Sequence, residues 1–208
     1  RDGLRAISGA IERVFIDGEI IQVQTIQNIP AVGICGSGIL DAVAEMRKEN
    51  LIDSRGAFNK LDPRFTARNG NLELVLVPAS QSGIQHEIAI NRKDINEIQL
   101  AKAAIRSGIE VLMKQAHIGA GDIDLFFVAG AFGTYLDLKN ALRIGMFPCL
   151  PIEHFEQVGN AAGSGAREML VSTNKRLEAE QMIDQAEYIE LTTQEDYVDI
   201  FMRSISLD

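Results

Sequence analysis

Three glycine-rich turns carry the chemistry this chain offers: Gly33-Ile34-Cys35-Gly36-Ser37-Gly38, Gly130-Ala131-Phe132-Gly133 and Gly159-Asn160-Ala161-Ala162-Gly163-Ser164-Gly165. Each ends an apolar stretch and opens a helical pattern. Backbone N–H groups at a helix start favour anions, and glycine lets a ligand come close to the main chain. In α/β sheets, ligands gather beyond the carboxyl ends of the strands. Three such turns in 208 residues therefore point to strand ends around one cleft, with a nucleotide as the first candidate ligand. Each turn also has a plainer reading, the tight packing of a strand against a helix.

The candidate contacts follow from the turns. In the second turn they are Gly130, Ala131, Phe132 and Gly133. In the third they are Gly159 and Asn160, where Asn160 either caps the next helix or touches a ribose; Gly163 and Gly165 read as helix-packing glycines. In the first turn they are Gly36, Ser37 and Gly38. Ser37 is an N-cap, or a donor to a phosphate or a nearby loop. Cys35 invites a nucleophile reading, but no His or Lys stands near it in sequence to hold a thiolate, so a small buried residue is the preferred reading. Lys102 and Arg106 lie one helical turn apart and could reach a cleft or form a solvated basic face. His86, His117 and His154 share no metal-like spacing, and Glu153 and Glu156 read as solvent-facing. No residue is assigned to catalysis or to a metal. The chain has no P-loop pattern, no Gly-x-Gly-x-x-Gly after a strand and no Gly-x-Ser-x-Gly elbow.

Composition narrows the classes. The chain is 46% apolar, enough for a real core, and carries a net charge of −9. That charge excludes non-specific nucleic-acid binding, which needs clustered Lys and Arg, and gives no footing on an anionic membrane. No apolar run approaches the roughly 18–20 residues of a membrane span. The two cysteines, Cys35 and Cys149, are far apart and form no Cys-x-x-Cys, so an iron–sulfur or zinc site of the usual kind is not expected within the chain. A reducing cytoplasm is the expected home. The chain begins at Arg1 without a methionine or a signal-peptide pattern, which reads as a piece of a longer protein.

The elements that must position the turns can be read by period and punctuation. Ile11 to Ile16 and Glu19 to Thr25 form a hairpin about Asp17-Gly18. Gly38 to Asn50 is a helix with Ile39, Leu40, Val43 and Met46 on one face. Ser54-Arg55-Gly56, Asp62-Pro63 and Asn69-Gly70 punctuate a loop-rich stretch. Leu72 to Pro78 and His86 to Ile90 form a second strand pair. Asp94, with Glu97 three residues on, caps a long helix whose stripe is Ile98, Ile105, Ile109 and Leu112, ending before Gly119 and Gly121. Asp124 to Ala129 is a short buried parallel strand. A helix covers Asp137 to Ile144, a strand Phe155 to Val158, and a helix runs on to Ser172. A further helix spans Leu177 to Gln185, a last strand Tyr188 to Leu191, and Thr193 caps a terminal helix carrying Tyr197, Ile200 and Phe201. Alternating strands and helices make this an α/β layered domain with a partly parallel sheet, one unit over residues 1–208.

Taken in order, four segments resemble one family. They are Val32 to Glu45 (VGICGSGILDAVAE), Ile98 to Ile109 (IQLAKAAIRSGI), Val128 to Gly133 (VAGAFG) and Val158 to Ala166 (VGNAAGSGA). They are similar to the carboxy-terminal domain of reductive activators of corrinoid proteins, within the acetate and sugar kinase, Hsc70 and actin (ASKHA) superfamily. The resemblance covers nearly the whole chain. It implies a ribonuclease-H-like, actin-like ATPase lobe, a mixed sheet with flanking helices, and ATP with Mg²⁺ in a cleft between two lobes. It implies an activity that spends ATP to return a cobalt(II) corrinoid to cobalt(I), with an iron–sulfur cluster in a separate domain. The partner would be a corrinoid protein of a methyltransferase system.

Gly130 to Gly133 would match the adenosine loop, Gly159-Asn160 the loop beside it, and Lys102 and Arg106 the helix flanking the adenine. The hairpin about Asp17-Gly18 would match the second phosphate hairpin, with Gly36 to Gly38 behind it. This sequence lacks the Asp-x-Gly of a phosphate loop at Ser8 to Glu12. The first lobe, with its metal-holding aspartate, and the iron–sulfur domain are not found, so the chain alone is expected to be inactive. Two further readings stand: a lobe of a 2-hydroxyacyl-CoA dehydratase activator, and a docking or dimerisation module with nucleotide as an allosteric signal, for which a homodimer is one candidate state.

Overall fold

A computed structural model describes residues 2–68 and 70–208, with the side chains of Ala131 and Phe132 outside the described atoms; Asn69 of the Asn69-Gly70 turn is likewise outside the described residues. The hairpin forms as expected. β1 (Ala10–Asp17) and β2 (Ile20–Thr25) pair antiparallel, with Asp17 opposite Ile20 and Gly18 at φ +55° in the turn. β3 (Gly33–Ile34) adds a short parallel edge to β1 and leads into α1 (Gly36–Lys48).

α1 lies directly on β1. A side chain on Gly38 would place its Cβ 2.2 Å from the Ile11 carbonyl oxygen, so only glycine allows the approach. Leu40, Ala42, Val43, Ala44 and Met46 are buried along the same helix.

A second antiparallel sheet runs β4-β5-β6, from Phe65–Arg68, Asn71–Val77 and Ile88–Asn91. The first of these strands was not expected from the sequence. β6 passes straight into α2 (Arg92–Gln115). The cap is Asn91 rather than Asp94: the Asn91 side chain accepts from the N–H groups of Lys93 and Asp94, while Asp94 answers the Asn91 N–H. Both residue types can cap, and the strand's end at Asn91 decides which one does.

The buried face of α2 also differs from the apolar stripe. Ile95, Gln99, Lys102, Ala103, Ser107 and Val111 are buried, whereas Ile105 and Leu112 are exposed. Ser107 donates within the helix to Ala104 O, whereas Gln99 and Lys102 turn inward because residues 205 and 206 supply acceptors. Gln99 Nε2 donates to Ile205 O at 3.1 Å, and Lys102 Nζ donates to Ser206 O. That tail is fixed further by Leu207 N donating to Ser54 O at 2.8 Å and Arg47 Nε donating to Leu207 O at 2.9 Å.

β7 (Phe126–Ala129) and β8 (Phe155–Gly159) pair in parallel. Between them lie α3 (Gly130–Tyr135) and α4 (Leu138–Arg143), the latter capped by Asp137. Phe126, Phe147 and Phe155 pack with ring centroids 5.1–5.7 Å apart beneath this pair. α5 (Ala161–Val171) and α6 (Thr173–Ile183) follow without a single buried residue, and leave Leu170, Val171, Met182 and Ile183 exposed.

Tyr188 to Leu191 is not a strand. Tyr188 Oη donates to Glu190, and Glu190 accepts from the Thr192 hydroxyl at 2.7 Å and closes a 3₁₀ turn over Leu191–Thr193. These local side-chain bonds replace a ladder. α7 (Tyr197–Arg203) starts after Asp196, not at Thr193, and packs on α2. Parallel and antiparallel pairings thus coexist with flanking helices, around one apolar cluster that runs from Ile11 to Leu207. No helix among the described residues is long and apolar enough to cross a membrane.

Two outcomes follow from this packing. Gly38→Ala forces β1 and α1 apart and lowers stability by roughly 1–3 kcal/mol in urea denaturation, as overpacking does. Lys102 is only 2% exposed, and burial, with Arg106 nearby, pushes its pKa down from 10.5 to about 8. Between those two values the unfolded chain keeps a proton that the folded chain has released, so folding grows more favourable as pH rises through the window. The destabilisation is therefore complete below about pH 8 and relieved near 10.5. Lys102→Met removes this increment, about 3 kcal/mol at most. Denaturation midpoints of the two proteins, compared from pH 7.5 to 10, should differ in slope; parallel profiles would disprove the assignment.

Candidate functional site

Parallel pairing of β7 with β8 sets Ala129 opposite Gly159, so the second and third turns leave their strands side by side. Gly130 takes φ +94° and Gly159 φ +65°, both in the left-handed region that glycine enters without strain. Among the described atoms, a Cβ on Gly130 would meet nothing within 4 Å, and one on Gly159 only Thr134 Oγ1 at 3.9 Å. Packing by those atoms thus does not account for these two glycines; the backbone turn does.

The neighbouring residues brace the turns. Thr134 Oγ1 donates to Gly130 O at 3.0 Å. Gln157 Nε2, on β8, donates to Gly133 O at 2.5 Å and Leu136 O at 2.9 Å, tying α3 to the strand beside it. Gly133 has a packing role, since a Cβ there would lie 2.8 Å from Val128 Cγ1. Asn160 caps α5, its side chain accepting from Gly163 N at 3.0 Å. A Cβ on Gly163 would lie 2.5 Å from Asn160 Nδ2, so that glycine makes room for the cap, whereas Gly165 faces open space. Asn160 itself is exposed. Ala131 and Phe132 belong to α3, and their side chains lie outside the described atoms.

The first turn is built differently. Cys35 is 4% exposed; its N–H donates to Ile11 O at 3.0 Å, and its thiol lies 3.2 Å from the same oxygen and 3.4 Å from Ser37 Oγ. Those contacts match the small buried residue expected. Gly36 and Ser37 line a cavity of about 430 Å³ with Arg5, Glu12, Cys35 and Tyr135. Tyr135 ends the short helix that Gly130 begins, so α3 connects the second turn to the first. Gly38 faces β1 instead.

Lys102 and Arg106 stand together elsewhere. They line a cavity of about 390 Å³ with Glu110, Gly145, Arg203 and Asp208, which shares no residue with the cavity at the first turn. Arg106 donates to Glu110 Oε1 at 2.6 Å and to Phe147 O. His154 Nδ1 lies 3.0 Å from Ile123 O, and among the described residues no group of three or more His, Cys, Asp or Glu could hold a metal ion.

Sequence reading missed Tyr135, Arg5, Glu12 and Gln157. A polar Gln157 in the short strand Phe155–Gly159 was the available signal for a brace. Tyr135 carried the positional signal of closing the one-turn helix after Gly130. Arg5 and Glu12 reach the cavity only through tertiary contacts.

The arrangement sets two helix starts at adjacent strand ends and a cavity at the first turn, and backbone N–H groups at helix starts are the kind of group that favours an anion.

Comparison with known proteins gives the family. Residues 1–208 match the family described as the C-terminal domain of RACo, the ASKHA domain. A corrinoid activation enzyme, RamQ, of Eubacterium limosum is 34% identical over 209 residues, covering 96% of this chain and 35% of that protein. A Co(II) methylated amine-specific corrinoid protein reductase of Methanosarcina barkeri is 28% identical over 178 residues, 85% of this chain and 29% of that protein. A solved structure of a reductive activator for corrinoid, iron-sulfur protein superposes with a TM-score of 0.91 at 34% identity, covering 100% of this chain and 34% of that one. The chain thus spans about a third of the length of these relatives. Four turn and helix motifs in order, a matching fold and a family match over every residue lead to one statement: the chain belongs to the family of C-terminal ASKHA domains of RACo.

Proposed function

We propose that this chain is the nucleotide-binding lobe of an ATP-dependent activator that returns cobalt(II) corrinoid proteins to cobalt(I). One observation carries the nucleotide reading: Gly130 and Gly159 sit side by side at the ends of adjacent parallel strands, both at positive φ, neither packed closely by the described atoms. The family and the corrinoid-acting relatives supply the reaction class.

In this reading Gly130, Gly133, Gly159 and Asn160 form the adenosine wall, with Ala131 and Phe132 between them. Gly36, Ser37 and Gly38 support the phosphate side; Lys102 and Arg106, which the resemblance would set beside the adenine, instead line a separate cavity and are held by Ser206 O and by Glu110 and Phe147 O. The lobe would act as one folded unit in the cytoplasm. Mg²⁺ would be held by groups of an opposing lobe, and an iron–sulfur cluster by a further domain. The partner is a corrinoid protein of a methyltransferase system. A cluster-bridging role for Cys35, as a 2-hydroxyacyl-CoA dehydratase activator would need, is disfavoured by its burial against Ile11 O.

Phosphoryl transfer needs groups on both sides of the phosphates. Calorimetry with ATP should therefore show binding by a version extended at its amino terminus and none by the 208-residue chain. In the longer form, Gly130→Val should weaken binding at least about tenfold, because valine strains the turn. Circular dichroism guards against misfolding. Sustained hydrolysis by these 208 residues, lost on Gly130→Val, would refute the half-site reading.

A further inference from the structure

A circuit of charged and amide groups joins α1, which the first turn opens, to α4, which follows α3 of the second turn. Asp41 of α1 is 1% exposed. Its Oδ1 accepts from Asn140 Nδ2 of α4 at 3.0 Å, and its Oδ2 from Arg13 Nη1 of β1 at 3.4 Å. Arg13 Nη1 is also 3.4 Å from Asp137 Oδ2, the cap of α4. Asn140 Oδ1 accepts from Arg143 Nη1 at 2.6 Å, and Arg143 lies 3.6 Å from Glu45 Oε1 on α1. Glu45 Oε2 accepts from Ile16 N at 3.0 Å and from Lys48 Nζ at 2.9 Å, which closes the circuit on β1.

Net stability is a poor reason for such a circuit. Burying a carboxylate is costly, and apolar side chains of similar volume often serve a core as well or better. Burial indeed raises the pKa of Asp41, against the pull of Asn140 and Arg13. Hydrogen bonds differ from apolar packing in fixing direction, and a fully satisfied buried network specifies one arrangement.

The arrangement specified here is informative. α1 starts at Gly36, and Asp137 follows Tyr135 by two residues. Gly36, Ser37 and Tyr135 line the same cavity.

We propose that Asp41 is a positioning residue: through Asn140 and Arg13 it holds α4, and with it Tyr135, at a set distance from the Gly36 turn, and so fixes the cavity wall beside Cys35. The proposal depends on the nucleotide reading only for what the cavity receives.

Cys35 is the reporter. It is buried, Cys149 is exposed, and the chain has no third cysteine. In a Cys149→Ser background without nucleotide, alkylation of Cys35 by iodoacetamide under native conditions measures opening at the turn. Asp41→Ala should speed labelling at least about tenfold beyond a reference of equal global stability, because local opening is cheaper than global unfolding. The reference is Val111→Ala, on α2 outside the circuit, matched in stability by urea. Asp41→Asn keeps the shape and one acceptor and should recover much of the protection. Adding Asn140→Ala to Asp41→Ala should change the rate little further, since both break the same link.

If Asp41→Ala fails to fold, Asn140→Ala alone carries the test. Labelling that tracks global stability equally in Asp41→Ala and the reference, or fully additive effects at Asp41 and Asn140, would overturn the proposal. ATP is absent throughout, so failure of the nucleotide reading leaves this outcome untouched.

Discussion

Ile11 O accepts from the Cys35 N–H and lies within reach of its thiol, while Gly38 sits so close above that no side chain fits between. This one carbonyl locks the start of α1 to β1. From it follow the line of α1, the burial of its Leu40 to Met46 face, and the position of the Gly36 turn. Hydrogen bonding and steric exclusion act together here: the bond sets the distance, and the missing Cβ permits it. The hairpin, the core and the first cavity inherit their geometry from that contact.

The glycines that looked alike in sequence divide by physical cause. Gly130 and Gly159 answer a backbone demand. Gly38, Gly133 and Gly163 answer a steric one, against Ile11, Val128 and Asn160 respectively. Spacing alone does not separate these causes, since both place glycine near a helix start. The separation leaves Gly130 and Gly159 as the two whose glycine is required by the backbone turn rather than by packing.

Much of the fold was legible because local rules and tertiary demands agree there. The hairpin about Asp17-Gly18, α1, α2, and β7 and β8 with their turns all formed close to their expected bounds. Disagreement arose where a partner distant in sequence decides. The tail at Ile205 and Ser206 turns Gln99 and Lys102 inward, over a hundred residues away, and no periodicity in α2 records it. Near Tyr188, a short-range rival won: Glu190 closed a turn where an apolar pattern suggested a strand. The turns of the site were visible as motifs. Tyr135, Arg5 and Glu12 were not, because a cavity is made by what the fold brings together.

α5 and α6 have no fully buried residue, and they carry Leu170, Val171, Met182 and Ile183 into water. The excess of acidic over basic groups, nine charges, is then what keeps such molecules apart. Repulsion of that kind is screened within about 10 Å at 0.1 M salt, whereas apolar attraction is not. Ionic strength therefore shifts the balance between this charge repulsion and the attraction of the exposed apolar side chains.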